Sequence, residues 1–125
     1  MNLALWIVAG VLAVMFAGAG VFKLVSTPEK LVESGMGWAA DFSAPTVKLI
    51  GLLELLGAIG LVVPALVHIA PVLVPLAALG LAATMIGAAV VHARRKETPM
   101  IAVNVVLLAL ALFVAWGRFG PYAFA

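Results

Sequence analysis

Hydrophobic and polar positions divide this chain into four long apolar blocks and three interruptions. Leu3 to Phe22 is twenty residues without a charge. A helix crossing a bilayer takes roughly 20 residues, so this block predicts a first membrane span. The chain carries no Lys or Arg before that run. A signal peptide would have a basic n-region there, so a span is the expectation despite the cleavage-like Ala17-Gly18-Ala19. Later blocks predict spans over about 46–63, 72–91 and 100–116. Pro64 to Pro71, which contains His68, reads as a tight turn. His92 to Pro99 reads as a basic loop, and Gly117 to Ala125 as a short tail.

The first interruption, Lys23 to Ala44, is the long one. Thr27-Pro28-Glu29 has the form of an N-cap, a first-turn proline and an acid favoured by the helix dipole. Gly35 and Gly37 then supply stop signals. A short helix near Pro28 to Ser34 is therefore expected. Leu31, Val32, Met36, Trp38 and Phe42 lay this segment against the membrane interface, where Trp is favoured.

Composition agrees with the pattern. Hydrophobic residues make up 66% of the chain and charged ones 10%, and the mean hydropathy is +1.30. That leaves too few polar side chains to cover a water-facing surface, which excludes a soluble enzyme, a disordered tail and a nucleic-acid-binding domain. The 125 residues allow one domain, 1–125, and leave no room for a catalytic domain outside the membrane. The absence of Cys excludes disulfides, iron–sulfur clusters and thiol redox chemistry. The expected fold class is all-α: an antiparallel, up-down transmembrane four-helix bundle with a short interfacial helix in its first loop.

Charge sets the orientation. Lys23, Lys30, Lys48, Arg94, Arg95 and Lys96 fall on one side and Arg118 alone on the other. The positive-inside rule places loops 23–45 and 92–99 in the cytoplasm of a bacterial-type cytoplasmic membrane, with both termini outside.

Depth selects the candidate site. A carboxylate near mid-span costs about 2.5–3.5 kcal/mol on insertion scales, so Glu54 needs a reason to be there. It follows Lys48 by six residues, roughly 9 Å into the bilayer at 1.5 Å per residue. Lys23, His92 and Asn104 fall in the same leaflet, so the four helices contribute one polar residue each. Stripes of mostly small residues at helical spacing point the same way: Gly10, Ala13, Ala17 and Gly20; Gly51, Glu54 and Ala58; Ala77, Gly80, Thr84, Gly87 or Ala88, and Val91; Asn104, Leu108, Ala111 and Ala115. Small residues let membrane helices approach closely. The plain alternative is a structural pair, with Glu54 neutralised by Lys23 or protonated and the cluster serving only to lock the bundle.

Other chemistry is poorly served. His68 and His92 are the only histidines and have a whole helix between them, roughly 30 Å, so they cannot ligate one haem within a chain. One Glu and one His make no convincing metal site. No Ser-His-Asp arrangement, phosphate-cradling glycine loop or H-E-x-x-H is present.

Several stretches in order resemble the DoxX-like family of small four-span integral membrane proteins. They are Gly18-Ala19-Gly20-Val21-Phe22-Lys23-Leu24, then Glu54-Leu55-Leu56-Gly57-Ala58-Ile59-Gly60-Leu61 followed by Pro64. Gly87 to Glu97, Asn104 and Arg118-Phe119-Gly120-Pro121 complete the set. The resemblance implies a four-helix membrane protein. Some relatives are membrane subunits of redox systems, among them a thiosulfate:quinone oxidoreductase and an oxidative-stress complex with soluble partners. More distant ones are assembly factors. The family hands over no established catalytic residue.

Three functions compete. The first is a membrane subunit of an oxidoreductase-associated complex that binds a quinone-like or lipidic ligand through Lys23, Glu54, His92 and Asn104. Nothing in such a chain stores electrons, so electron transfer would need a partner or a bound cofactor. The second is a non-catalytic assembly or scaffold protein. The third is a small proton-coupled transporter, against which stand the position of the acid in the second helix and the one-sided charge. No covalently bound cofactor is expected. The expected partners are the lipid bilayer and either partner proteins or further copies of the chain, with nucleic acid excluded.

Overall fold

The structure, a computed structural model, describes residues 1–123. Four long helices carry the fold: α1 (Asn2–Val25), α3 (Ala44–Leu66), α4 (Leu73–Arg94) and α5 (Thr98–Phe119). A six-residue helix, α2 (Pro28–Glu33), and a 3-10 turn, Gly37–Asp41, fill the first connection. All four long helices are long and apolar enough to cross a membrane. Each buries one stripe and turns Leu, Val and Ile outward, as a helix surrounded by lipid does. The protein is an integral membrane four-helix bundle.

Local chemistry sets the helix starts and stops. Thr27 caps α2 by accepting from the Lys30 N–H at 3.2 Å, as its sequence position predicts. Gly35 ends it at φ 99°, with the Met36 N–H bonded to the Leu31 carbonyl at 2.9 Å. Ser43 caps α3, and Pro45 sits in its first turn. The helices run a few residues past the predicted spans, because Lys23 and Arg94 extend them beyond the apolar run. Gly117 and Arg118 belong to α5 rather than to a tail. The last two residues of the predicted tail, Phe124 and Ala125, lie outside the described residues.

The turn expected over 64–71 begins later than predicted. Pro64 lies buried inside α3, which continues to Leu66. Membrane helices tolerate an internal proline where neighbouring groups satisfy the freed backbone. The stop comes from His68 at φ 56°, after which the Ile69 N–H returns to the Pro64 carbonyl at 3.1 Å. The same closure ends α4. There the Glu97 N–H reaches the His92 carbonyl at 2.9 Å, and Lys96 occupies the left-handed position at φ 58°. A side chain there costs about 1–2 kcal/mol that glycine avoids. Lys96→Gly should therefore stabilise the protein by roughly 0.5–1 kcal/mol after the entropy cost of glycine, seen as a raised melting temperature in detergent. A lowered melting temperature would contradict this.

Packing follows two tight pairs, α1 with α3 and α4 with α5. Gly20 and Gly51 let α1 and α3 touch backbone to backbone: a Cβ on Gly20 would sit 2.5 Å from the Gly51 oxygen. The marked close approaches between the pairs fall near the end opposite loops one and three. Gly57 receives Leu81, Gly60 receives Ala77, and Gly117 receives Leu5.

Two predicted stripes shift as a result. On α4 the buried face is Val74, Ala78, Leu81, Ala82, Met85 and His92. Gly80 faces outward with nothing within 4 Å of an added Cβ, whereas Ala77 meets Gly60 and Thr84, Gly87, Ala88 and Val91 border the space between the helix pairs. On α1, Gly20 is buried as predicted, but Leu5, Ala9, Leu12 and Phe16 form the rest of the stripe and Gly10 meets nothing. The cause is that a small residue on one helix often receives a large one from its neighbour, as Gly57 receives Leu81. The stripes on α3 and α5 stand, with Gly51, Glu54, Ala58, Asn104, Ala111 and Ala115 buried.

Candidate functional site

The two helix pairs frame a partly open cavity of about 500 Å³ in the half of the bundle nearer loops one and three. That volume suits a small-molecule ligand. The walls are mostly apolar, with Phe16, Leu53, Met85, Val103 and Leu107 among them. Lys23, Glu54, His92 and Asn104, one from each long helix, all line this cavity.

The backbone contact builds the ion pair. Lys23 lies three residues after Gly20 on α1, and Glu54 three residues after Gly51 on α3. Because α1 and α3 run antiparallel, the two charges lie on the contact faces about one turn to either side of the glycine contact, with Lys23 Cβ close against Gly51, and their side chains span it to meet. Lys23 Nζ stands 2.6 Å from Glu54 Oε1, and both side chains are buried. Nearby, Lys48 Nζ donates to the Leu24 carbonyl at 2.9 Å and so satisfies an end of α1.

His92 is buried and places Nδ1 2.9 Å from Glu97 Oε1. Asn104 is only 5% exposed, and its side-chain nitrogen has no hydrogen-bond partner. Leaving a buried donor unpaired costs about 1–3 kcal/mol. Thr84, half-buried on the cavity wall, spends its hydroxyl on the Gly80 carbonyl at 3.0 Å. Among the described residues no three His, Cys, Asp or Glu side chains come together to hold a metal ion.

Loop one covers the cavity. Met36, Trp38 and Phe42 line it, while Leu31, Ala39 and Val47 anchor the loop in a small core of their own. The Trp38 ring lies 5.8 Å from Lys23 Nζ. An ion pair ties this cover to loop three: Arg95 Nη1 donates to Asp41 Oδ2 at 2.6 Å, and Arg95 Nε lies 3.3 Å from Glu97 Oε1. The Asp41 hydrogen bond raises the Arg95 pKa further above its ordinary value, so the guanidinium keeps its charge.

A family model described as DoxX-like matches residues 7–114. The chain belongs to the DoxX-like family. The match spans the cavity, with Lys23, Glu54, His92 and Asn104 all inside it. Neither a curated protein nor a solved structure matches the chain.

Two features of this DoxX-like protein escaped the reading of its sequence. Glu97 and Asp41 join His92 and loop one to Arg95; the available signal was acids beside basic residues in two loops predicted on the same side. At the far end, Arg118 is buried, and its Nη1 donates to Asn2 Oδ1 at 2.6 Å and to the Tyr122 carbonyl at 2.9 Å. It also stands 5.7 Å from the Trp6 ring, so it joins the start of α1 to the end of α5. In sequence it counted only as the one basic residue of its side.

Proposed function

We propose that this DoxX-like protein is a membrane subunit that holds a quinone-like or other lipidic ligand between its helices, within an oxidoreductase-associated complex. One observation carries the reading: the unpartnered Asn104 amide, buried beside a largely apolar cavity. A ligand oxygen would accept from that amide and remove its cost. A tail would occupy the apolar walls, and Lys23 and Glu54 would meet the polar head. The chain has no cysteine, so electrons would reach the ligand from a partner. The six-to-one bias of Lys and Arg favours loops one and three in the cytoplasm.

The test is native mass spectrometry of the purified protein, with organic extraction of what it carries. Wild type should retain a quinone or polyprenyl lipid, and Asn104→Leu should lose it while staying folded. An empty wild-type protein, as stable as the variant, would overturn the reading. The scaffold reading draws on the outward-facing Gly80, whose open surface would suit a partner helix. It would gain if the cavity proved empty and Gly80→Leu broke a complex.

A further inference from the structure

We propose that His92 and Glu97 form a proton path between the cavity and the water at the loop-three face. It rests on the ligand reading of the cavity and narrows the ligand to one with an acidic hydroxyl, of phenol or quinol type. The cavity's other titratable pair is closed. Lys23 and Glu54 hold each other with side chains 9% and 4% exposed, which leaves no evident route to water. His92 differs. It lines the cavity, and its Nδ1 lies 2.9 Å from a carboxylate whose side chain is 30% exposed. One imidazole nitrogen therefore addresses solvent through Glu97, and Nε2 is what the ring has left to offer the cavity. Imidazole is suited to accept a proton at one nitrogen and release another at the second.

The fold fixes this arrangement. The left-handed turn at Lys96 brings the Glu97 N–H back to the His92 carbonyl, so the backbone sets the carboxylate beside the ring. Arg95 Nε lies 3.3 Å from the same carboxylate oxygen and helps to hold it in place. The charged and polar groups around the ring are Glu97 and Arg95 from the turn after α4, and Lys23, Glu54 and Asn104, which line the same cavity from α1, α3 and α5.

The step conserves charge and protons. The ligand O–H bond breaks and its electron pair stays on oxygen, beside Lys23 and the Asn104 amide. The proton goes to His92 Nε2, the Nδ1 proton goes to Glu97 Oε1, and Glu97 releases it to water. One ionisation leaves His92 neutral as its Nε2–H tautomer, and the tautomer resets by proton exchange with water once the ligand has left. No electron moves in this step.

The full chain in quinone-free lipid nanodiscs tests it, with 4-nitrophenol as probe because its phenol and phenolate absorb differently. Stopped-flow mixing is run at a pH where the free probe is mostly protonated, with a pH dye in the bulk. Wild type should bind the probe, ionise it and release a proton. Glu97→Gln should bind equally well but ionise it on the order of a hundredfold more slowly, and Glu97→Asp should recover most of the rate. Equal rates in wild type and Glu97→Gln would remove the path and leave the ligand site standing. Loss of binding in Glu97→Gln would make Glu97 a shaping residue and also overturn the path. Failure of wild type to bind would remove the ligand reading and the path together.

Discussion

Lys23→Met should destabilise the protein by about 3–5 kcal/mol, because it leaves Glu54 without its counter-charge in a buried position. Glu54→Leu should do comparable damage by stranding the Lys23 ammonium, although a lysine two residues from its helix end has some freedom to reach the interface. The double variant Lys23→Met/Glu54→Leu should recover most of the loss. Removing both charges also removes the cost of dehydrating them, and paired replacement by apolar residues is often near neutral. The quantity to measure is the coupling energy from a double-mutant cycle of unfolding in mixed detergent micelles. Near-wild-type stability in both single variants would contradict a tight pair. The double variant has a second use: folded yet unable to retain ligand, it would separate a binding role of the pair from its structural role.

Gly20→Leu should have an effect of similar size by a different route. Any Cβ at this position meets backbone: Gly51 O at 2.5 Å and Leu55 N at 2.9 Å. A side-chain tip can rotate away, but two helix backbones can only separate. Gly20→Ala should cost about 1–3 kcal/mol, and the leucine variant more. Separation would also pull on the Lys23–Glu54 contact one turn away, so losses from Gly20→Ala and Lys23→Met should be less than additive. Gly10→Ala is the control. Nothing lies within 4 Å of its added carbon, so it should leave stability unchanged or raise it slightly through helix propensity. Equal losses at Gly10 and Gly20 would show that the destabilisation is not caused by the α1–α3 contact.

The legible part of the sequence was what the membrane punishes. Twenty uncharged residues admit few fates, and a carboxylate at the depth of Glu54 needs a partner, so spans and polar cluster follow from position alone. The α4 stripe was legible only in part. Ala77 packs on Gly60, and Thr84, Gly87, Ala88 and Val91 line the cavity, but Gly80 meets nothing, and Leu81, which the stripe left out, fills the hollow at Gly57. Which helix provides the hollow is a property of the pair, and one helix's periodicity cannot report it. Pro64 misled for a related reason, since its status as breaker or passenger depends on what surrounds it. The Asp41–Arg95–Glu97–His92 chain joins residues up to 54 positions apart through loops, where no periodicity operates.

The central claim is that the cavity between the two helix pairs holds a ligand against Asn104. The most direct test is an experimental density map of wild-type protein taken from its native membrane with no ligand added. The account predicts non-protein density in the cavity, with a polar head within hydrogen-bond distance of the Asn104 side-chain nitrogen and a tail along Phe16, Met85 and Leu107. A map in which Trp38 and Phe42 have closed into the cavity, or in which Asn104 pairs with a neighbouring side chain and no space is left, would contradict it.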